Sequence, residues 1–232
     1  MPIEKGDFII IDYVGRIKET GEIFDTTIEE VAKKEGVYEE GQIYEPKLVV
    51  IGEGWILKAL EEKLLEMDEG QKATIEIPPE QAYGKRDPEK VRIIPLRRLV
   101  SKGITPRPGM RVNVDGRIAT VRTVGAGRVQ LDFNHPLAGK TLVYEVTVVK
   151  KIETPKEKIQ ALIHRRLPAV EPEKFKLRLT KASVRIEVPE DAFYIEGIQV
   201  IKRGIAMDIL KFFPEISSVS YIETIKRKEE SS

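Results

Sequence analysis

The chain has 232 residues, with 39 Lys and Arg against 38 Asp and Glu, and it contains no cysteine. A formal net charge of +1 argues against a dedicated nucleic-acid or anionic-membrane binder, because such partners require a basic excess. The missing cysteines exclude disulfide scaffolds, thiolate nucleophiles and Cys-ligated metal centres, and the 2 histidines are too few for a His-only metal cage. The sequence also contains no Walker loop, no G-x-G-x-x-G after a strand and no H-E-x-x-H, and we expect a protein without a metal or a cofactor.

The composition also bears on where the protein works. The first residues contain no basic run followed by an apolar segment, and no apolar stretch approaches the roughly 18 residues that a membrane helix needs. We therefore expect a cytoplasmic location and no membrane partner. Charged residues make up 33% of the chain while Asn is scarce, a bias typical of thermophilic proteins.

The predicted elements begin with a hairpin. Residues 8–14 are rich in β-branched and aromatic side chains, which predicts a strand, and residues 22–25 return after a glycine turn as its second arm. A short helix ended by glycine is predicted over 28–36, and another strand over 46–51.

A helix and a strand follow. Four apolar residues recur at helical spacing: Ile56, Leu60, Leu64 and Met67. This stripe predicts a helix that ends at Gly70. Alternation over 72–77 predicts a half-buried strand, which Pro78 and Pro79 stop.

After these elements the sequence pattern changes to one of short strands only, typical of a compact all-β unit. Strand-like runs at 110–114 and 117–124 are joined by Asp115-Gly116, a strong hairpin dipeptide, and a third run covers 128–133. This pattern is small enough to be an insertion, which we place at residues 86–131. Alternation then resumes from Leu142 to Val148 with apolar residues on both faces, as in a central strand.

The last segment predicts a separate α-β-β-α-β domain over residues 155–232, which ends in a polar tail at 226–232. A first helix carries an apolar stripe of Ile159, Leu162, Ile163 and Leu167, and a second carries Ile198, Ile201, Ile205, Ile209 and Phe212. Two alternating strands lie between the helices, and a last strand is predicted over 217–225.

Three local patterns carry a family resemblance. Residues 21–27 read Gly-Glu-Ile-Phe-Asp-Thr-Thr, residues 51–60 read Ile-Gly-Glu-Gly-Trp-Ile-Leu-Lys-Ala-Leu, and residues 77–84 read Ile-Pro-Pro-Glu-Gln-Ala-Tyr-Gly. In order and spacing they resemble the FKBP-type peptidyl-prolyl cis-trans isomerases. Residues 132–142 contain Asn-His-Pro-Leu-Ala-Gly, which resembles the signature of the SlyD-like members with an insert-in-flap chaperone domain. The added C-terminal domain resembles the long-type archaeal branch of that group.

The resemblance implies an α+β fold, in which a curled antiparallel sheet with one packed helix is formed by residues 1–85 and 132–154. It implies a pocket for proline-containing polypeptides in which Tyr13, Asp25 and Tyr83 act on the amide. The implied apolar walls are Phe24, Ile56, Leu57, Leu60, Leu137 and Tyr144. Leu60 stands where drug-binding members place a Trp, which puts macrolide affinity in doubt.

Readings without catalysis stay open for these residues. The aromatic side chains of the pocket could form plain hydrophobic core, and Asp25 could stabilise the turn after the hairpin. Unfolded polypeptides are the expected clients of the insert, through an apolar set of Ile93, Ile94, Leu96, Leu99 and Val100. That set could equally form the insert's own core.

Two functions other than isomerisation remain open, and so do two arrangements of the C-terminal domain. The chain could be a holdase with weak isomerase activity. A less favoured alternative is that the chain is an RNA- or ribosome-associated factor, because the insert contains five arginines: Arg107, Arg111, Arg117, Arg122 and Arg128. The apolar surface of the C-terminal domain predicts a homodimer through this domain, with docking onto the isomerase domain of the same chain as the equal alternative.

Overall fold

The computed structural model describes residues 2–225, so the predicted polar tail at 226–232 lies outside the described residues. The described part is an α+β structure with three separate sheets, as predicted. Its strands are β1 (Phe8–Ile17), β2 (Ile23–Thr26), β3 (Lys47–Val50), β4 (Lys72–Ile77), β5 (Val91–Pro95), β6 (Arg111–Val114), β7 (Arg117–Gly125), β8 (Arg128–Asp132), β9 (Leu142–Ile152), β10 (Lys176–Leu179), β11 (Ser183–Val188) and β12 (Ser218–Glu223). Its helices are α1 (Glu29–Lys34), α2 (Lys58–Leu64), α3 (Arg97–Val100), α4 (Pro155–Arg166) and α5 (Ile198–Phe212).

The first sheet is antiparallel and has the order β2-β1-β9-β4, with β3 pairing to the first half of β1. The prediction of a central strand after Leu142 is confirmed, because β9 pairs with both β1 and β4. One face of the sheet packs Ile9, Ile11 and Tyr13 against α2 and its surroundings. The other face of β1 directs Phe8 and Ile10 towards the C-terminal helices.

The helix predicted to reach Gly70 ends earlier, at Leu64. Met67 is nonetheless buried, because a tight turn carries the chain on: the Met67 N–H donates to the Leu64 carbonyl at 3.1 Å. The Asp68 N–H donates to Gln71 Oε1 at 2.9 Å and not to a carbonyl of the preceding helical turn. The apolar spacing therefore correctly predicted burial at Met67 but not the end of the helix.

The insert forms a four-stranded antiparallel sheet of order β5-β8-β7-β6. The predicted hairpin at Asp115-Gly116 is confirmed, with positive φ of 53° and 79° at the two turn residues, as a type I′ turn requires. Strand β5 was not predicted. Its side chains alternate poorly, and Pro95 closes it after five residues.

The C-terminal segment pairs β10 with β11 antiparallel and β11 with β12 parallel, and α4 and α5 pack over this sheet. Its hydrophobic core continues into the first sheet and includes Phe8, Val50 and Ile152. The ring of Phe212 lies edge-on to that of Phe8, with centroids 5.3 Å apart. The C-terminal segment therefore docks on the isomerase-like sheet of the same chain, while the predicted homodimer stays a prediction.

Candidate active site

A cavity of about 890 Å³ opens beside β1, the approach to α2 and the middle of β9. Seven of the nine residues predicted for the pocket line it: Tyr13, Asp25, Ile56, Leu57, Leu60, Tyr83 and Tyr144. The two others, Phe24 and Leu137, do not line the cavity but pack against the same hydrophobic cluster. Leu60 is fully buried beneath the cavity, on the first turns of α2.

Three polar groups meet at one side of the cavity. The Tyr13 hydroxyl donates to Asp25 Oδ2 at 2.6 Å, and Lys47 Nζ donates to the Tyr13 oxygen at 2.9 Å. Lys47 Nζ also lies 3.8 Å from Asp25 Oδ2. None of the described backbone N–H groups donates to the Asp25 side chain, whose described contacts are with Tyr13 and Lys47.

Lys47 was missed by the sequence analysis. It occupies the first position of β3 and pairs with Ile11 across the sheet, which brings its side chain beside Tyr13. The signal was the spacing of two between Lys47 and the buried Val49, which places both on one face of the strand. Knowing that face required knowing that β3 pairs with β1.

The apolar wall is an arrangement of aromatic edges. The ring of Tyr144 lies 5.7 Å from that of Tyr13 and 5.6 Å from that of Phe24, both in edge-on geometry. Gly15 pairs with Tyr144 across the sheet and leaves room for this packing. A Cβ at Gly15 would lie only 2.6 Å from Phe24 Cζ.

Burial controls the charge of these phenols. It raises the pKa of Tyr13 well above the ordinary value, and the hydrogen bond with Asp25 acts in the same direction. Burial likewise raises the pKa of Tyr144, with smaller contributions from Tyr83 and Asp25. Both hydroxyls are therefore neutral at physiological pH and can donate hydrogen bonds.

Tyr83 stands at the rim of the cavity and is 38% exposed. Its ring stacks on that of His135, with centroids 4.0 Å apart and planes 4° from parallel. His135 Nδ1 accepts a hydrogen bond from the Leu137 N–H at 3.2 Å. Burial, with a contribution from Arg111, lowers the pKa of His135. The contact between His135 and Tyr83 was not predicted from the sequence.

The loops between the cavity and the insert are held by a buried carboxylate. Asp132 is 1% exposed and accepts hydrogen bonds from Arg86 and Arg122, at 2.8 Å from Arg86 Nη2 and 3.0 Å from Arg122 Nε. Asn134 adds two more bonds to Oδ1. Although burial acts to raise it, these hydrogen bonds hold the pKa of Asp132 well below its ordinary value.

The residues predicted to bind clients are divided by the structure. Ile93 is 63% and Val100 55% exposed, whereas Leu99 is fully buried in the core of the insert. Ile94 and Leu96 pack partly against that core. Leu99 therefore belongs to the alternative in which the residue forms the insert's own core, because a side chain without exposed surface cannot contact a client.

Two further observations concern what the described residues lack. Between residues 2 and 225, His, Asp and Glu side chains form no group of three or more that could hold a metal ion. In the same part of the chain, no helix combines the length and apolar character needed to cross a membrane.

Comparisons with known proteins give matches along most of the chain. The family model described as FKBP26, IF domain matches residues 92–137, and that described as FKBP26_C-terminal matches residues 155–226. The short-type peptidyl-prolyl cis-trans isomerase of Methanocaldococcus jannaschii is 37% identical over 146 residues, which cover 63% of this chain and 92% of that protein. The FKBP-type isomerase SlyD of Treponema pallidum is 36% identical over 120 residues, 50% of this chain and 68% of that protein.

A solved structure, that of the three FKBP domains of wheat FKBP73, is also similar to this chain. Its TM-score is 0.34 with 17% identity, and the match covers 66% of this chain and 42% of the wheat chain. The family assignment depends on the sequence matches, because the Methanocaldococcus protein is matched along nearly its whole length and the SlyD and FKBP26 matches name the group. This chain belongs to the FKBP-type peptidyl-prolyl cis-trans isomerases, in their SlyD-like group.

Proposed function

We propose that this protein catalyses the cis–trans isomerisation of X–Pro bonds in polypeptides and that its insert binds unfolded chains. The observation that carries the proposal is the apolar cavity into which the phenols of Tyr13, Tyr83 and Tyr144 converge. The names of the relatives, which are peptidyl-prolyl cis-trans isomerases, support the same chemistry.

The reaction needs no nucleophile and no proton transfer. An X–Pro bond rotates in tens to hundreds of seconds because its amide resonance must be lost on the way. An apolar pocket disfavours the charge-separated planar amide, and hydrogen-bond donors held in place stabilise the twisted one. A 10⁵-fold acceleration would require about 7 kcal/mol of such differential binding.

The polar residues have distinct roles in this proposal. Tyr83 donates to the carbonyl that precedes proline, because it stands at the cavity rim without a described hydrogen-bond partner for its hydroxyl. Asp25 accepts a hydrogen bond from the Tyr13 hydroxyl at 2.6 Å and so holds the Tyr13 ring in place in the cavity wall. Lys47 fixes the pair from the other side, at 2.9 Å from the Tyr13 oxygen.

The insert supplies a second, weaker site. Ile93, Val124 and Gln130 line a shallow groove of about 250 Å³ on its sheet. An exposed β5 edge and this groove suit an extended apolar segment, which could add to the sheet as a further strand. Tethering a polypeptide here raises its effective concentration at the isomerase cavity.

Two assays on one pair of proteins test the proposal. The full chain and a variant lacking residues 86–131 are compared on a short proline peptide and on refolding of a proline-limited protein. The variant also carries Asp132→Ser, since the deletion removes both arginines that bind Asp132. Gly84 and Gly139 are already joined by a 2.8 Å backbone hydrogen bond, so a short loop can close the gap.

We expect the variant to keep most of its activity on the peptide and to lose about 10- to 100-fold on the refolding protein, the avidity lost with a second site. Equal losses on both substrates would mean that the insert shapes the cavity instead. A full chain that prevents aggregation but does not accelerate the peptide would be a holdase.

The RNA-associated alternative is the less favoured one. Arg122 is bound to Asp132, and Arg117 lies over the Phe133 ring at 5.0 Å, so these two insert arginines already have partners within the fold. Salt-dependent binding of single-stranded RNA at micromolar affinity would favour that alternative.

A further inference from the structure

The cavity extends beyond the isomerase pocket. From Ile56 it passes Trp55 and continues along α4, where Gln160, Ala161 and Arg165 line it. The C-terminal domain therefore forms one wall of the same continuous cavity. A polypeptide whose proline occupies the pocket would place its flanking residues against this wall.

Arg165 differs from the other basic residues that line the cavity, because each of those has an acidic partner. Lys47 lies against Tyr13 and Asp25, Lys150 is paired with Glu157 at 2.7 Å, and His164 Nε2 lies 2.8 Å from Glu45. No described carboxylate lies within 4.0 Å of the Arg165 guanidinium, whereas its neighbour Arg166 is paired with Asp208 at 2.5 Å.

The guanidinium of Arg165 is nonetheless fixed in position. It lies 3.7 Å from the centroid of the Trp55 ring, and Trp55 in turn packs edge-on against Phe212 with centroids 5.9 Å apart. Stacking on an indole face holds the planar cation while leaving its N–H donors free at the edge. Those donors suit a carboxylate, which binds guanidinium groups in bidentate geometry.

We propose that Arg165, stacked on Trp55, is a specificity site for an acidic side chain near the proline of the substrate polypeptide. The proposal rests on the proposed isomerase function, because it assigns a subsite of that cavity. Glu173 lines the same end and has no described ion pair, so it would favour a basic side chain instead. Both side chains are exposed, but Arg165 is preferred because its stacking on Trp55 orients it, whereas no described ring or ion-pair contact orients Glu173 on its short turn of helix at Pro172–Lys174.

The test uses capped, otherwise uncharged proline peptides in which a single Glu, Gln or Lys is moved through the positions on both sides of the proline. Isomerisation is followed by NMR exchange, so kcat and KM are obtained for each peptide. We expect Glu at one position to raise kcat/KM over Gln by about three- to fivefold through KM, as one exposed ion pair permits. High salt should reduce this preference.

Variants identify the residue responsible. Arg165→Gln should make kcat/KM equal for the Glu and Gln peptides, and Arg165→Glu should reverse the preference in favour of Lys. Arg178→Gln, an exposed arginine on β10 outside the cavity, is the matched control and should keep the preference.

The outcomes are separable. No acceleration of the Gln peptide would contradict the proposed function itself. Normal acceleration with equal values for Glu, Gln and Lys would overturn the subsite alone. A preference for Lys that Glu173→Gln removes would also overturn it, since the acid and not the arginine would then select the substrate.

Discussion

Tyr83 and His135 lie face to face, 4.0 Å apart, although 52 positions of sequence separate them (135 − 83). The stack joins the Ala-Tyr-Gly turn to the Asn-His-Pro-Leu-Ala-Gly loop on the two sides of the insert. It restricts the Tyr83 ring at the cavity rim and leaves the hydroxyl as the group that can rotate towards a substrate.

Removing that hydroxyl is the most direct test of the catalytic assignment. We expect Tyr83→Phe to lower kcat/KM on a proline peptide about tenfold, as the loss of one hydrogen bond to the twisted amide would do. The stack on His135 and the unfolding temperature should be unchanged, because the ring is kept. Tyr194→Phe, which removes an exposed hydroxyl far from the cavity, is the control.

Asp25→Ala should also slow isomerisation while the fold stays intact. The Tyr13 hydroxyl would lose the acceptor that orients it and would keep only Lys47 as a neighbour. Asp25→Asn keeps an acceptor without the charge, so its activity should lie between those of Asp25→Ala and the unmodified chain. Unchanged kcat/KM in Asp25→Ala would leave the carboxylate without a role in the reaction.

Gly15 is the residue that makes room for Phe24. We expect Gly15→Ala to displace the Phe24 ring, because the new Cβ would stand 2.6 Å from Cζ. Overpacking of this kind costs roughly 1–3 kcal/mol of unfolding free energy, and the aromatic wall at Tyr144 should shift with it. Gly125→Ala, in open space at the end of β7, should leave both stability and kcat/KM unchanged. Equal behaviour of the two variants in thermal unfolding would contradict the packing argument.

Alkaline pH should destabilise the fold through the buried phenols. The folded chain raises the pKa of Tyr13 above its ordinary value of 10.0, so above that pH the unfolded chain releases a proton that the folded chain keeps. The contribution of Tyr13 to the free energy of unfolding is therefore fully present below pH 10.0 and decreases as the pH rises above that value. Thermal unfolding across this range should show a shallower decrease for Tyr13→Phe than for the unmodified chain. Parallel curves for the two proteins would exclude Tyr13 as the source.

Acidic pH should destabilise the contacts of Asp132, which hold the loops between the cavity and the insert. The hydrogen bonds to Asp132 lower its pKa, so their stabilisation is present above the ordinary value of 3.8 and is lost as the pH falls through the folded value. At neutral pH, Asp132→Asn should cost about 1–3 kcal/mol, because the bonds to Arg86 and Arg122 lose their charge assistance. Hydrogen exchange should locate the loss in β7 and β8. Asp115→Asn, in an exposed turn that suits Asn equally well, is the control.

The predicted homodimer can be tested on the surface of α5. Val200 and Met207 lie seven positions apart on this helix and are 76% and 60% exposed, away from the contact with the first sheet. We expect the full chain to have a dimeric mass by light scattering at tens of micromolar, and Val200→Asp with Met207→Asp to have a monomeric one. A monomeric mass for the unmodified chain would contradict the dimer. The double variant is preferred to truncation at Glu153, which would uncover Phe8, Val50 and Ile152.

The sequence predicted the elements whose signals are local. Strand β4 was predicted with its observed bounds, because alternation and the prolines at its end both act within the strand itself. The hairpin at Asp115-Gly116 was predicted for the same reason, since the turn residues carry the required conformation. Helix α2 ends at Leu64, earlier than predicted, and a non-helical turn buries Met67. Apolar spacing alone cannot distinguish such a turn from a longer helix.

The residues of the candidate site also fall into those that local motifs predict and those that only tertiary contacts place. Nine pocket residues were named from the family resemblance, and seven of them line the cavity. Lys47 meets Tyr13, and His135 meets Tyr83, only through contacts between distant segments. Arg165 was missed because the docking of α4 depends on the shared core around Phe8 and Ile152, which no local pattern encodes. Whether Leu99 binds clients or forms the insert's own core stayed open in the sequence, because an apolar run shows how many residues need burial but not which of them obtain it.

The central position of β9 imposes an order on biosynthesis. Tyr13, Asp25 and Tyr83 all leave the ribosome before the insert, but Tyr144 and the strand that joins β1 to β4 follow it. All strands of the insert's sheet lie within residues 91–132, so its contacts can form before β9, the middle strand of the first sheet, has been synthesised. The domain proposed to bind unfolded chains would thus emerge beside one such chain, its own unfinished N-terminal half.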